Sequence, residues 1–416
     1  MLILTMTKIS GGTAIFHGIQ KQHKIGHKII GYIECDSSLN VEKTLPFLKE
    51  KARALIKKHR HFGSVIVGEY WTIVPKIYME DIVYHFDGTH DEFAKETLNK
   101  PFTEGVPGWR LLVTNNNYIV FTCDHVYGDA GVMEEIMASL FDDDSKKERK
   151  ARKPPSYSLI SRILLFFKVL FLLYKRYWCV KPTVLKYKPA PWCPPSRVAQ
   201  CHLATLSLSD LKKNSERFSC SDGSKITIND MLHSLIVKTC RENLKKSTIT
   251  SAAMFNLRKD NNVSFSTVDS DQNKIACILL ANKVDSNETP PEEVIQDVHD
   301  FMQFYKVTPA VPCIAYAMNL YHDWNKEKAC DIVQKINTSV DFLISNYAFP
   351  YENKTIQGGI AVKNVIGTAT PCDANQVYSI TSYGDHINIY LTYNVDKIKD
   401  IEGLKNDFYN ALKWLF

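Results

Sequence analysis

The run SLISRILLFFKVLFLLYKRYWCV, Ser158 to Val180, constrains this chain most, because it is strongly apolar yet carries only positive charges. It lies inside a basic stretch: from Lys146 to Lys188 there are 13 Lys/Arg against one acidic residue, Glu148, a local charge of +12. The whole chain of 416 residues carries +6, so everything outside this stretch sums to −6. On a helix, Arg162, Lys168, Lys175 and Arg176 fall in one arc with Ser158 and Ser161. Phe166, Phe167, Phe171 and Trp178 join Leu and Ile on the opposite half. The charges leave no uncharged run near the ~18 residues that a membrane span needs. A wide Phe/Leu face behind a wholly basic polar face suits a helix lying in a membrane interface. The same pattern also suits a helix that packs on the protein's own core and turns a basic stripe to solvent.

A Pro-rich stretch, KPAPWCPPS (Lys188 to Ser196), follows and can neither continue a helix nor pair in a central strand. Strand and helix patterns alternate on both sides of it. The expected organisation is therefore an N-terminal half, 1–145, a basic crossover, 146–200, and a C-terminal half, 201–416. A hydrophobic fraction of 45% with 20 Phe and 20 Tyr excludes a disordered chain, and the length exceeds what one core fills. Eleven Cys, an odd number without a CxxC pair, indicate neither a disulfide scaffold nor a metal module. The opening MLILTMTKIS has too short an apolar run for a signal peptide. With its basic charge confined to one segment and no recognition motif, the chain is not expected to bind nucleic acid.

Three elements place the chemistry. Tyr118 to Cys123 (YIVFTC) reads as a buried strand, followed by a loop and a helix, Val132 to Phe141. Ile228 to Leu244 reads as a helix with Ile228, Met231, Leu232, Leu235 and Ile236 on one face, started by Thr227 or Asn229. The chain closes with a strand, His386 to Tyr393, and a helix whose face holds Leu404, Phe408, Leu412 and Leu415. Within FTCDHVYGDAG, His125 sits where the strand ends, so its imidazole can project from the sheet edge. Asp129 follows in a turn that Gly128 and Gly131 allow to bend sharply.

DHVYGDAG resembles the HHxxxDG signature of the CoA-dependent acyltransferase superfamily, and further motifs follow in order. Pro107-Gly108-Trp109 is similar to the PLW motif of the wax ester synthase/diacylglycerol acyltransferase branch, and Asn229-Asp230 to its ND motif. Arg258 in MFNLRKD takes the place of that branch's VPVSLR arginine, and ISNYAFP, with Ser345, Asn346 and Pro350, is similar to SNVPGP. Asp124 replaces the first His of the signature, Ala130 stands where its Gly would be, and the SNVPGP Gly is missing. The DFGWG motif of the plant acyltransferases is absent.

The resemblance implies two chloramphenicol-acetyltransferase-like α/β domains with an active-site tunnel at their interface. It implies His125 as the base and Asp129, paired with Arg258, as the support of its loop. Asn229 and Asn346 would face substrate or the oxyanion, Trp109 would do so or pack the core, and Asp230 would support the start of the Asn229 helix. Acyl-CoA would be the co-substrate, with no cofactor and no metal. The acceptor would be a lipid alcohol, either a long-chain alcohol or diacylglycerol, met at the cytoplasmic side of a membrane through 158–180. Two rival expectations share the fold: a short-chain alcohol, sterol or amine acceptor, or a non-catalytic membrane-binding relative.

Overall fold

The computed structural model describes residues 7–9, 11–23, 27–143, 167, 197–218, 225–256, 273, 275–284, 288–307, 325–371 and 374–416. Phe166, Phe171, Trp178 and Arg258 lie outside them; Phe167 is exposed. No helix among the described residues is long and apolar enough to cross a membrane.

Two mixed six-stranded sheets form the body of the molecule. The first runs Thr355–Ile356, Ile360–Ala369, Lys28–Cys35, Tyr118–Asp124, Trp109–Thr114 and Val83–Phe86. The second runs Ile275–Lys283, Thr248–Asn256, Phe342–Ala348, Gln376–Tyr383, His386–Asn394 and Val198–Ser207. Most neighbours are antiparallel. Val83–Phe86 pairs in parallel with Trp109–Thr114, and Phe342–Ala348 does so with both its neighbours. The central strands are covered on both faces, which explains why KIIGYIEC and YIVFTCD read as apolar runs rather than alternating patterns.

Sheet membership does not follow the halves of the chain. Ile360–Ala369 comes late in the sequence but pairs antiparallel with Lys28–Cys35, placing Gly367 opposite Gly31. That glycine pair serves packing: a Cβ at Gly31 would lie 2.6 Å from Met137 Sδ, and one at Gly367 2.7 Å from Met133 Cε. The helix Ala130–Ala138, which carries both methionines, thus lies close on the sheet beside the His125 loop.

The two sheets are tied to each other by polar contacts. The Asn364 and Asn388 amides bond reciprocally at 3.1 and 2.8 Å, and Gly367 N–H donates to Thr381 Oγ1 at 3.1 Å. Two large apolar clusters fill the molecule: one around Phe62, Trp109 and Phe121, the other around Leu235, Phe342 and Phe408.

The helix Ile228–Leu244 forms with its expected bounds, and Thr227 is its cap. The Thr227 hydroxyl accepts from Asp230 N–H at 3.3 Å while the Asp230 carboxylate accepts from Thr227 N–H at 2.9 Å, a capping box. Asn229 is thereby released from the capping role. The helix following the His125 loop begins earlier than expected, at Ala130, because Asp129 caps it.

Candidate active site

His125 opens a short 3-10 turn, His125–Tyr127, directly after the strand Tyr118–Asp124. Its backbone N–H donates to the His27 carbonyl at 2.5 Å, extending the pairing of that strand with Lys28–Cys35 by one residue. Tyr127 anchors the far end of the turn by donating its hydroxyl to the Ser64 carbonyl at 2.7 Å. Asp129 then accepts from Gly131 N–H at 2.9 Å and Val132 N–H at 3.4 Å, satisfying two of the otherwise orphaned donors of the next helix. The loop is held at both ends.

Gly128 is required by close approach. A Cβ there would lie 2.5 Å from Val132 Cβ and 2.7 Å from each Val132 methyl. Gly128→Ala is expected to force the loop away from its helix and cost about 1–3 kcal/mol of stability, as overpacking does. Denaturant unfolding measures this, and an unchanged midpoint would contradict the packing described.

The imidazole of His125 is half-buried beneath the helix Gly11–His23. Phe16 of that helix stacks on it, with ring centroids 3.9 Å apart and planes 15° from parallel. Nδ1 lies 2.8 Å from Oδ1 of Asn273. Among the described residues no hydrogen bond engages Nε2. Burial holds the imidazole below its ordinary pKa, while Asp129 pulls the other way by favouring the protonated form. At neutral pH the ring is therefore uncharged, as a proton acceptor must be.

Asp124, in the place of the first signature His, is buried. It accepts from Gln20 Nε2 at 2.5 Å and from Val126 N–H at 3.5 Å. Burial pushes its carboxyl up to about 7, against the lowering effect of Val126 N–H and of Lys28. Lys28 stands opposite it in register and is itself lowered to about 8 by burial. The Lys28 ammonium donates to the Thr97 and Lys100 carbonyls and lies 4.7 Å from the Phe102 ring centroid. Asp124 thus links the helix Gly11–His23 to the strand end.

The structure brings Asn229 and Asn346 together: Asn346 Nδ2 donates to Asn229 Oδ1 at 2.9 Å. The residue after Asn346 connects this pair to the His125 unit, since the Tyr347 hydroxyl donates to the Glu134 carboxylate on the helix Ala130–Ala138. Asp230 does more than cap. Its Oδ2 also meets His299 Nδ1 at 2.8 Å, and both side chains are fully buried.

Trp109 requires a correction. It is fully buried, its indole N–H donates to the Phe62 carbonyl at 2.8 Å, and it packs edge-on to the Phe62 ring at 5.6 Å. The only polar atom of its side chain is already used inside the core, so it packs the fold rather than facing substrate. Gly108 beside it stays close to the site, its carbonyl accepting from Asp124 N–H at 2.8 Å.

Sequence reasoning missed Phe16, Gln20, Asn273 and His299. Each reaches its partner from a distant part of the chain, 148 positions away for Asn273 and 69 for His299, and no local periodicity signals such a pairing.

Comparison with known proteins bears on the fold. Residues 271–415 match the family model of the WS/DGAT C-terminal domain. No curated protein matches the chain by sequence. Among solved structures, the chain is similar to the wax ester synthase/diacylglycerol acyltransferase from Marinobacter aquaeolei VT8, at 11% identity over 98% of each chain with a TM-score of 0.58. It is also similar to the trichothecene 15-O-acetyltransferase from Fusarium sporotrichioides, at 12% identity over 98% of this chain and 94% of that one, with a TM-score of 0.66. Polyketide synthase associated protein 5 from Mycobacterium tuberculosis matches at 11% identity over 98% of each chain, with a TM-score of 0.60. At such identities the likeness is one of fold.

Proposed function

From a chain that carries a WS/DGAT C-terminal domain on the two-domain fold of the CoA-dependent acyltransferases, we propose an acyl-CoA-dependent O-acyltransferase acting on a lipid alcohol. The observation that carries the reading is His125: a neutral imidazole at a strand end, fixed through Nδ1, with no hydrogen bond to Nε2 among the described residues. The acceptor hydroxyl gives its proton to Nε2 as its oxygen attacks the thioester carbonyl carbon. The tetrahedral oxyanion collapses, the C–S bond breaks, and the CoA thiolate takes the proton back from Nε2. No covalent acyl-enzyme is required. Asn229, released from capping and aligned by Asn346, is the donor assigned to the oxyanion. Asp129 supports the His125 loop as a helix cap; the role expected for Arg258 concerns a residue outside those described.

The acceptor assignment rests on the basic amphipathic run at 158–180, which would hold the protein on an anionic membrane surface where lipid alcohols reside. Flotation with anionic liposomes is expected to be lost in high salt and reduced by Phe167→Asp with Phe171→Asp. Binding indifferent to both would leave the run a core-packed helix.

A second reading keeps the fold and takes a short-chain alcohol, sterol or amine as acceptor; it is kept because an O-acetyltransferase shares this fold. A panel of acyl-CoA donors against long-chain alcohols, diacylglycerol, sterols, short alcohols and amines, read by released CoA, separates the two. Release with none of them would overturn both readings in favour of a non-catalytic relative.

A further inference from the structure

The atom that faces His125 Nδ1 can be identified from the rest of the Asn273 amide. Asn273 Nδ2 donates to the His125 backbone carbonyl at 2.8 Å and to Thr13 Oγ1 at 3.2 Å. A backbone carbonyl only accepts, so the NH2 group must be the part that faces it. Oδ1 is then the atom that meets the imidazole, at 2.8 Å. An amide oxygen also only accepts, so the proton of a neutral ring must sit on Nδ1 and the lone pair on Nε2. Asn273 is itself fixed in place. Its residue is buried, and Gly12 passes so close that a Cβ there would lie 2.7 Å from both Asn273 Cβ and Asn273 O. Phe16, stacked on the ring, restrains rotation about the remaining free torsion.

We propose that Asn273 is the positioning residue that sets the His125 tautomer, fixing the proton on Nδ1 and directing the Nε2 lone pair towards the acceptor hydroxyl. This rests on the reading of His125 as the base. An amide fits that task differently from a carboxylate. A carboxylate on Nδ1 would stabilise the imidazolium and raise its pKa, whereas an amide orients the ring with a weaker pull towards protonation. Among the described residues, the ionisable groups near the ring are Asp124 and Asp129 on its own strand and loop, Lys28 on the neighbouring strand and His27 just before it. The helix Gly11–His23 meets the site with Thr13, Phe16 and Gln20, none of them ionisable.

Long-range 1H–15N correlation on the full chain with labelled histidine reads the tautomer directly. The wild type is expected to show Nδ1–H at His125, and Asn273→Ala a tautomer mixture. Asn273→Asp is expected to keep Nδ1–H while the ring titrates at a pH higher by on the order of 1 unit. In kinetics, Asn273→Ala is expected to lower kcat by roughly 10- to 100-fold with the KM for acyl-CoA little changed, as loss of orientation does. Asn273→Asp should recover part of that kcat and move the acid limb of the pH profile upwards. An Nε2–H tautomer in the wild type would overturn the proposal, and needs no variant to fold. So would Asn273→Ala keeping a single Nδ1–H tautomer, since another group would then be fixing the proton. Should the spectra appear as expected while no acyl-CoA and acceptor pair yields CoA, the Asn273 assignment would stand and the transferase reading alone would fail.

Discussion

His125→Ala is expected to lower CoA release from acyl-CoA and alcohol by roughly 10²- to 10⁴-fold, the range that a positioned general base contributes. The size follows from the proton inventory. The attacking hydroxyl must lose its proton as the C–O bond forms, and the departing thiolate needs one as the C–S bond breaks. A single neutral imidazole serves both ends. Asp124 is beside it in sequence but cannot substitute, because its carboxyl is turned to Gln20 and Val126. Asp129 spends its Oδ1 on the N–H groups of Gly131 and Val132. The KM for acyl-CoA should change little, since the ring acts on the reacting proton rather than on the bulk of the donor. Because burial keeps the ring below its ordinary pKa, the base is already deprotonated at pH 7. Activity should therefore fall only as the pH drops below the usual imidazole range, with protonation removing the Nε2 lone pair. An acid limb above that range would mean that another group is the base.

The second large effect concerns stability. Trp109→Ala is expected to cost about 3–5 kcal/mol, the range for emptying the largest buried side chains. The ring lies at the centre of the first core, against Phe62 and Phe121, and is fully buried. Truncation leaves a cavity and also strands the Phe62 carbonyl, which accepts its indole N–H. Trp109→Phe isolates the second part: most of the volume stays, and the unpaired carbonyl should cost about 1–3 kcal/mol. Thermal or denaturant unfolding measures both. A substrate-facing Trp109 would give the opposite pattern, a raised KM with stability unchanged.

These two residues show how unevenly the site was legible in the sequence. His125 was found because a buried strand, a turn and a helix follow one another within about 20 residues, and each has a local signature in apolar spacing or turn chemistry. The helix Ile228–Leu244 was legible to the residue for the same reason, its apolar spacing being uninterrupted between a cap and a basic end. The place of Trp109 was not legible, because a motif places a residue in the chain but not on a face of the sheet. In a strand buried on both sides, neither face points to solvent, and alternation carries no information.

What remained hidden is non-local. Ile360–Ala369 crosses into the first sheet to pair with Lys28–Cys35, so sheet membership cuts across the chain halves. The partners of the functional groups, Asn273 for His125 and His299 for Asp230, are chosen by the folded topology rather than by neighbours in sequence. The helix Gly11–His23 offered no motif, yet it supplies Thr13, Phe16 and Gln20 to one site because it lies across the end of the His125 strand.

The central claim is direct acyl transfer from a CoA thioester to an alcohol through His125. The most direct measurement incubates the purified chain with a long-chain acyl-CoA and a long-chain alcohol, and quantifies ester by mass spectrometry alongside free CoA, for the wild type and His125→Ala. The expected result is ester and CoA in equal amounts from the wild type and neither above background from the variant. Ester formed equally by both proteins would contradict the account.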